Sequence, residues 1–283
     1  MSEENPWGDA QMGFDEKIEE IINMPVEGIE ETDVTYLERP GISLLARVYR
    51  GESGKRQPVI IDVHGGAWNY NDRTIGVLYD RYIAAAGLTV FAVDFRQGPE
   101  YKHPSASEDI EAAIEYVLSN ADELGGDSEH IGLIGSSAGG HLALLAGVTT
   151  EHKIDYVVAL WPVSNPAYRY AYAKRRNRVT LVEAHDCYFK SEEDMKSASI
   201  PDIIEREEYK QLPPLLVVQP GEDDNIPLEM TEELIQQYKS AGGYLEYAFF
   251  PDEPHGFAHL PSPATNRCHA LIVDFLKRHS KKL

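Results

Sequence analysis

Residues 135–139, Gly-Ser-Ser-Ala-Gly, contain two adjacent serines between glycines. They match the pattern G-x-S-x-G with Ser137 at its centre, after a buried apolar run and before a helical pattern. There the pattern is typical of a sharp turn that lifts one hydroxyl to a helix N-terminus, where N–H groups favour negative charge. Side chains at Gly135 and Gly139 would collide with neighbouring backbone in such a turn. We predict Ser137 as a nucleophile and expect Ser136 to point elsewhere; a plain turn of small residues is the alternative.

A serine hydroxyl needs a base, and the base needs an acid that orients it. His255 is one of ten histidines, and it lies between the last predicted strand and the last predicted helix. In the chain order nucleophile, acid, base that α/β-hydrolases use, this loop carries the base. We therefore predict His255 as the base. His259 is less well placed, His141 is expected to pack or hydrogen-bond, and His185 is expected to be structural or solvent-exposed.

Three consecutive acidic residues, 222–224, follow a strand that is predicted to end at Gln219. Such a cluster is usually a solvated turn, so only one carboxylate need be functional. An acid four residues beyond the strand end favours Asp223 as the partner of the base. A turn shifted by Pro220–Gly221 would favour Asp224 instead.

Gly65 and Gly66 follow another buried apolar run, and they have no side chains to block their backbone N–H groups. With the N–H of Ala138, these groups could hold the oxyanion of a tetrahedral intermediate. A plain glycine turn is the alternative, and it weakens because both elements occur in one chain in the required order. His64 is expected to brace this loop.

The elements that must position these residues alternate along the chain. Helical patterns separate the later of eight predicted strands, and in one of them Ser105 and Glu108 have the spacing of a capping box. This alternation predicts an α/β fold with a mostly parallel sheet and helices on both faces. The predicted strands are residues 33–38, 43–49, 58–64, 87–95, 130–135, 155–162, 214–219 and 244–250. We expect a single domain over 1–283, in which the N-terminal segment 1–30 and a helical insertion at 164–212 form a lid.

Composition excludes several classes of partner. A formal net charge of −21 disfavours nucleic acid, anionic membranes and polyanionic substrates. No apolar run is long enough to span a membrane, and the first residues do not resemble a signal peptide. Cys187 and Cys268 lie in no C-x-x-C pair, so free thiols and a cytoplasmic location are expected. No metal motif is present, and His255 and His259 would need a third, acidic ligand.

Four ordered motifs resemble the hormone-sensitive-lipase-like esterases of the α/β-hydrolase superfamily, from about residue 56 to the C-terminus. The motifs are HGGAW (64–68), VDFRQGPEYKHPSASED (93–109), GSSAGGHLAL (135–144) and PDEPHGF (251–257). The resemblance implies an α/β-hydrolase fold with about eight strands and a helical lid. It also implies roles for three sets of residues: the triad Ser137, Asp223 and His255; the oxyanion hole Gly65, Gly66 and Ala138; and the structural residues Asp94, Arg96 and Glu100.

Two positions depart from the common pattern of that group. Ala67 stands where a third glycine is usual, and Ser136 replaces the aspartate of G-D-S-A-G. Both changes lean toward the carbohydrate-acetyl-esterase-like and kynurenine-formamidase-like branches, and they leave the substrate class open. We expect the oxyanion geometry to survive at Ala67, because alanine can still turn.

The resemblance implies a serine carboxylesterase that needs no cofactor and acts on short-chain or small acyl esters through an acyl-enzyme. An arylformamidase or a peptidase would use the same triad, and a non-catalytic ligand-binding homologue is the least favoured alternative. The expected partner is a small-molecule ester; a homodimer remains open. The aromatic residues that flank the motifs would line a substrate pocket or pack in the core, namely Trp68, Tyr70, Trp161 and Phe257.

Overall fold

The computed structural model describes residues 8–51 and 56–280. Residues 1–7 of the predicted lid and residues 281–283 therefore lie outside the described part. Its strands are β1 (Ile29–Arg39), β2 (Ile42–Gly51), β3 (Gln57–Val63), β4 (Thr89–Val93), β5 (Gly126–Ser136), β6 (Val157–Leu160), β7 (Leu215–Glu222) and β8 (Leu245–Pro254). Its α-helices are α1 (Gly8–Asn23), α2 (Val77–Ala85), α3 (Ser105–Asn120), α4 (Ala138–Thr149), α5 (Pro166–Arg175), α6 (Val179–Tyr188), α7 (Glu192–Ser197), α8 (Ile200–Glu205), α9 (Leu228–Ser240) and α10 (Pro263–His279).

The eight strands form one sheet in the order β1-β2-β4-β3-β5-β6-β7-β8. The pairs β1–β2 and β2–β4 are antiparallel, and the five remaining pairs are parallel. The prediction of a mostly parallel sheet of eight strands in the α/β-hydrolase fold is therefore confirmed.

Helices cover the sheet in two groups. Helix α2 packs against α1 and α10, whereas α3 contacts α4, and α8 contacts both α4 and α9. Every residue of β3, β4 and β6 is buried, as expected for parallel strands with both faces covered. The edge strands β1 and β8 mix buried, intermediate and exposed positions. The core therefore lies on both sides of the central parallel strands.

The sheet brings four chain segments to one edge. The strands β3, β5, β7 and β8 all run parallel, and each ends immediately before a predicted site segment. Because the carboxyl ends of parallel strands meet at the same edge, the segments that follow them converge. Those segments begin at His64, Ser137, Asp223 and His255.

Residues 164–212, the predicted insertion, contain four of the helices, α5 to α8. Within it α5 packs against α6 and α7, while α8 joins the insertion to α4 and α9.

No helix among residues 8–51 and 56–280 combines the length and the apolar character that a membrane crossing requires.

The predicted capping box at the start of α3 is wrong. Pro104 occupies the N-cap position, and Ser105 is already the first helical residue. The Ser105 hydroxyl donates to the carbonyl of Lys102, and Glu108 pairs with Arg96. The chain therefore enters the helix one residue earlier than the side-chain pattern indicates.

Candidate active site

Ser137 lies in the turn between β5 and α4, with φ 55° and ψ −116°. Few residues other than glycine adopt such a conformation, and strained residues of this kind cluster at functional sites. Both flanking glycines are sterically required. A Cβ on Gly139 would lie 1.9 Å from the Val63 carbonyl oxygen, and one on Gly135 would lie 2.4 Å from the Gly139 oxygen. The turn therefore leaves no room for a side chain at residue 135 or 139, as the sequence pattern predicts.

The structure brings Ser137, His255 and Asp223 into one hydrogen-bonded line. Ser137 Oγ lies 3.1 Å from His255 Nε2, and His255 Nδ1 lies 2.8 Å from Asp223 Oδ2. The other carboxylate oxygen of Asp223 accepts the backbone N–H groups of Asn225 and Ile226, both at 2.9 Å. The Asp223 side chain is fully buried, and these three hydrogen bonds hold it in place. This geometry suits a base oriented by an acid.

The neighbouring acid has different surroundings. Asp224 accepts a hydrogen bond from Arg178 Nη1 at 2.6 Å, and its side chain is 75% exposed. The shifted turn that would have favoured Asp224 is therefore not the one that the loop adopts.

The two serines also differ in surroundings. Ser136 is the last residue of β5, and its side chain is fully buried. Its hydroxyl lies under the loop after β3, since a Cβ on Gly65 would come within 3.1 Å of Ser136 Oγ. Ser137 is the serine whose hydroxyl reaches His255.

The loop after β3 packs directly on Ser137. A Cβ on Gly65 would lie 3.4 Å from the Ser137 Cβ, and one on Gly66 would lie 2.0 Å from the Tyr70 carbonyl oxygen. Gly66 has a φ of 124°, which favours glycine. The next residue, Ala67, is left-handed with a φ of 50°, so the chain turns there without a third glycine. Gly65 and Gly66 border the cavity above Ser137.

Hydrogen bonds brace this loop from below. The Gly65 carbonyl accepts from His64 Nδ1 at 2.7 Å and from Asn71 Nδ2 at 3.3 Å. The His64 ring stacks on Phe95 with centroids 4.3 Å apart. Burial lowers the pKa of His64, so a neutral ring is favoured. His64 thus has the bracing contacts expected of it. Ala138 begins α4, so its N–H belongs to the first turn of that helix, as the predicted oxyanion hole requires.

A cavity of about 300 Å³ opens above Ser137 and His255. Of the four predicted pocket aromatics, Tyr70 and Trp161 line it. Trp68 does not: it is fully buried, stacks on Tyr188 and donates to His141 Nδ1 at 3.2 Å. The backbone of Trp68 is left-handed, with a φ of 64°, and its side chain lies in the core under the insertion.

Phe257 does not line the cavity either. Its ring lies between those of Trp161 and Phe250, with centroids 5.4 and 4.9 Å away. It supports Trp161 from behind, which is the core-packing alternative for this residue.

The three other histidines that the sequence analysis considered, His141, His185 and His259, are buried. His141 donates from Nε2 to the Ala198 carbonyl at 2.8 Å, and burial lowers its pKa to about 3. His185 is fully buried and contacts Trp68, so it is not solvent-exposed. His259 lines the cavity, but burial, reinforced by His255, lowers its pKa to about 3 and keeps the ring neutral.

The 93–109 motif also has structural contacts. Asp94 accepts hydrogen bonds from the backbone and from the guanidinium of Arg73, both at 2.8 Å. Arg96 Nε donates to the buried Asp109 at 2.9 Å. Glu100 is exposed.

Two further features escaped sequence reasoning. Arg169 of α5 is 1% exposed and lines the cavity, although the only sequence signal was a charged residue in an aromatic stretch. Glu111, Glu115 and His152 lie outside the cavity and bring three potential metal ligands within 4.8 Å of one another. Glu111 already accepts a hydrogen bond from Thr150, and Glu115 is exposed, so ordinary surface pairing accounts for this group.

A family model described as BD-FAE matches residues 48–238. The chain belongs to the BD-FAE family. Among curated relatives, Esterase LipC of Mycobacterium tuberculosis is 29% identical over 247 residues, which cover 79% of this chain and 59% of that protein. An Arylesterase of Saccharolobus solfataricus is 29% identical over 166 residues, which cover 58% of this chain and 54% of that protein. The chain thus spans little more than half the length of these two relatives.

Solved structures of esterases share the fold of this BD-FAE family member. A hyperthermophilic esterase from Pyrobaculum calidifontis is 25% identical with a TM-score of 0.77, covering 98% of this chain and 93% of that one. The thermostable carboxylesterase EstE1, cloned from a metagenomic library, is 23% identical with a TM-score of 0.79 and covers 98% of each chain.

Proposed function

We propose that this chain is a serine carboxylesterase that cleaves small acyl esters through an acyl-enzyme. The hydrogen-bonded line from Ser137 through His255 to Asp223 carries the proposal. Relatives named Esterase LipC and Arylesterase support the same reaction class. A cavity of about 300 Å³ is small for a ligand site, which favours small esters.

In the first half-reaction, Ser137 Oγ attacks the ester carbonyl carbon while His255 Nε2 takes the hydroxyl proton. Asp223 accepts the Nδ1–H of His255 and stabilises the imidazolium that forms. The carbonyl oxygen becomes an oxyanion, for which the N–H groups of Gly65, Gly66 and Ala138 are the proposed donors. His255 then gives its proton to the leaving alcohol oxygen as the carbon–oxygen bond breaks.

In the second half-reaction, water takes the place of the alcohol. His255 removes a proton from the water as the water oxygen attacks the acyl carbon. It then gives that proton to Ser137 Oγ as the bond between Oγ and the acyl carbon breaks. The product is a carboxylic acid. His259 borders the same cavity, but its lowered pKa of about 3 makes it a poor proton carrier at neutral pH, which leaves this role to His255.

We also assign a lid to α1 and the 164–212 insertion. Phe14 of α1 borders the cavity, as do Arg169 and Leu181 of the insertion. These residues come from outside the sheet-edge loops, so they shape the space available to a substrate. Residues 1–7 of the predicted lid lie outside the described part.

A substrate panel tests the reaction class. It contains p-nitrophenyl esters of rising acyl length, acetylated sugars, N-formylkynurenine and a p-nitroanilide peptide, each assayed with wild type and Ser137→Ala. We expect the highest kcat/KM on two- to four-carbon acyl esters, and loss of turnover in Ser137→Ala. Turnover of N-formylkynurenine or the peptide with no ester cleavage would replace the proposal by formamidase or peptidase activity. No turnover of any compound would favour a ligand-binding protein.

A further inference from the structure

The mechanism above leaves one charged group of the cavity unused. Arg169 lines the same cavity as Ser137 and His255, and it is 1% exposed. Its Nη1 donates to Asn225 Oδ1 at 3.1 Å, and its guanidinium carbon lies 5.3 Å from the Trp68 ring centre. Within the part of the chain that the structure describes, its Nε and Nη2 have no hydrogen-bond partner. Two of its N–H-bearing nitrogens are therefore left for another acceptor.

No carboxylate forms an ion pair with Arg169 among the residues whose side chains the structure describes, which are Phe14, 16–51 and 56–280. Asp223 is near enough to attract its charge, but the Asp223 oxygens already accept hydrogen bonds from His255 and from two backbone N–H groups. Burial lowers the pKa of Arg169 to about 10, so the guanidinium is still charged at neutral pH. A buried charge without a counterion is costly, and a carboxylate that fits the planar fork removes that cost.

The neighbouring side chains offer no other anion. His185 lies close to Arg169, and its pKa is lowered well below its ordinary value by burial and then by that charge. Tyr70, which also interacts electrostatically with Arg169, is a phenol that is neutral at neutral pH, and Asn225 and Trp68 carry no charge. The cavity beside Ser137 therefore contains a positive charge that no described side chain neutralises in an ion pair, in a chain whose formal net charge is −21.

We infer that this cavity selects esters that carry one carboxylate, which Arg169 binds while Ser137 attacks the ester carbonyl. The inference rests on the proposed esterase function and names its substrate class. One guanidinium balances the single negative charge of one carboxylate. A phosphate dianion would bring a second negative charge toward the carboxylate of Asp223. The acidic surface disfavours more highly charged substrates for the same reason.

Matched pairs of esters test the inference on the wild-type protein. One pair carries the group on the acyl side: mono-p-nitrophenyl glutarate and the p-nitrophenyl ester of glutaramic acid. The other carries it on the alcohol side: 3-acetoxybenzoate and 3-acetoxybenzamide. In at least one pair we expect kcat/KM to be about 10- to 100-fold higher for the carboxylate, which is typical of a charge-assisted hydrogen bond. No preference for the carboxylate in either pair would overturn the inference.

Arg169→Gln should then reduce the preferred pair's ratio to about one. Arg175→Gln is the matched control, because Arg175 is an exposed arginine of the same helix, and it should keep the wild-type ratio. Arg169→Lys retains the charge without the fork, and it should give an intermediate ratio if the Gln variant fails to fold. A ratio that stays at the wild-type value in both Arg169 variants would overturn the inference.

The two failures are distinguishable. A wild type that cleaves the carboxamide esters but does not prefer the carboxylates contradicts the role of Arg169 alone. A wild type that cleaves none of the four esters contradicts the proposed function, and the inference falls with it.

Discussion

Asp223 and Asp224 are adjacent in the chain, but they lie in opposite environments. The Asp223 side chain is fully buried and accepts the Nδ1–H of His255 at 2.8 Å, whereas Asp224 is 75% exposed and pairs with Arg178. Asp223→Asn should lower kcat for p-nitrophenyl acetate by about 10³- to 10⁴-fold, because an amide stabilises neither the tautomer nor the imidazolium. Asp224→Asn should change kcat little, since exposed ion pairs contribute little. Steady-state kinetics of the two variants checks this, and a larger loss in Asp224→Asn would contradict it.

The adjacent serines should separate in the same assay. Ser137→Ala removes the hydroxyl that contacts His255, so kcat should fall by about 10⁵- to 10⁶-fold. Ser136→Ala removes a buried hydroxyl that lies under the loop and should retain a large fraction of the activity. Equal losses in the two variants, or an active Ser137→Ala, would refute the assignment.

The turn around Ser137 gives a prediction about stability. A Cβ at residue 139 would lie 1.9 Å from the Val63 carbonyl oxygen, so Gly139→Ala requires the end of β3 and helix α4 to move apart. We expect a loss of more than about 4 kcal/mol in the free energy of unfolding, or failure to fold. Gly28→Ala is the control: it has a φ of +81° but nothing within 4 Å, so it should cost about 1–2 kcal/mol. Urea unfolding of both variants measures the difference, and equal losses would show that the turn is not so constrained.

Buried histidines predict a pH dependence of stability. Burial lowers the pKa of His141 to about 3 from an ordinary value near 6.5. Below pH 6.5 the unfolded chain takes up a proton at this residue that the folded protein does not. Titration of His141 therefore leaves the free energy of unfolding unchanged above pH 6.5 and lowers it as the pH falls from 6.5 toward 3.

Between pH 7.5 and pH 4.5 that loss amounts to about 2–3 kcal/mol, at about 1.4 kcal/mol per pH unit below 6.5. His141→Gln keeps a polar side chain but does not titrate, so its free energy of unfolding should fall by that much less over the same range. Urea unfolding at several pH values tests this. Parallel curves for wild type and variant would contradict it.

Much of the fold was predictable because its signals are local. Apolar runs of strand length marked all eight strands, and the helical patterns between the later ones predicted a mostly parallel sheet. The site segments were predictable for a related reason. Each follows a strand, and the topology of a parallel sheet determines which strand ends meet.

What escaped prediction depends on contacts between distant elements. Trp68 follows Ala67 in a loop that borders the cavity, but its left-handed backbone accompanies a side chain packed under the insertion. The strand before Asp223 was predicted to end at Gln219, but β7 continues through an irregularity at Pro220–Glu222, so Asp223 directly follows its last residue. Arg169 is buried only because the insertion folds back onto the sheet edge, and no local pattern indicates which charged residue of a helix is covered in that way.

The most direct test of the account is covalent labelling of the nucleophile. Wild type, Ser137→Ala and Ser136→Ala would each be incubated with a fluorophosphonate, followed by intact-mass and peptide mass spectrometry and an assay of residual esterase activity. We predict one phosphonyl adduct on Ser137 in wild type and in Ser136→Ala, with activity lost in proportion to labelling, and no adduct in Ser137→Ala. An adduct on Ser136, or activity that survives complete labelling of Ser137, would contradict the central claim that Ser137 is the nucleophile.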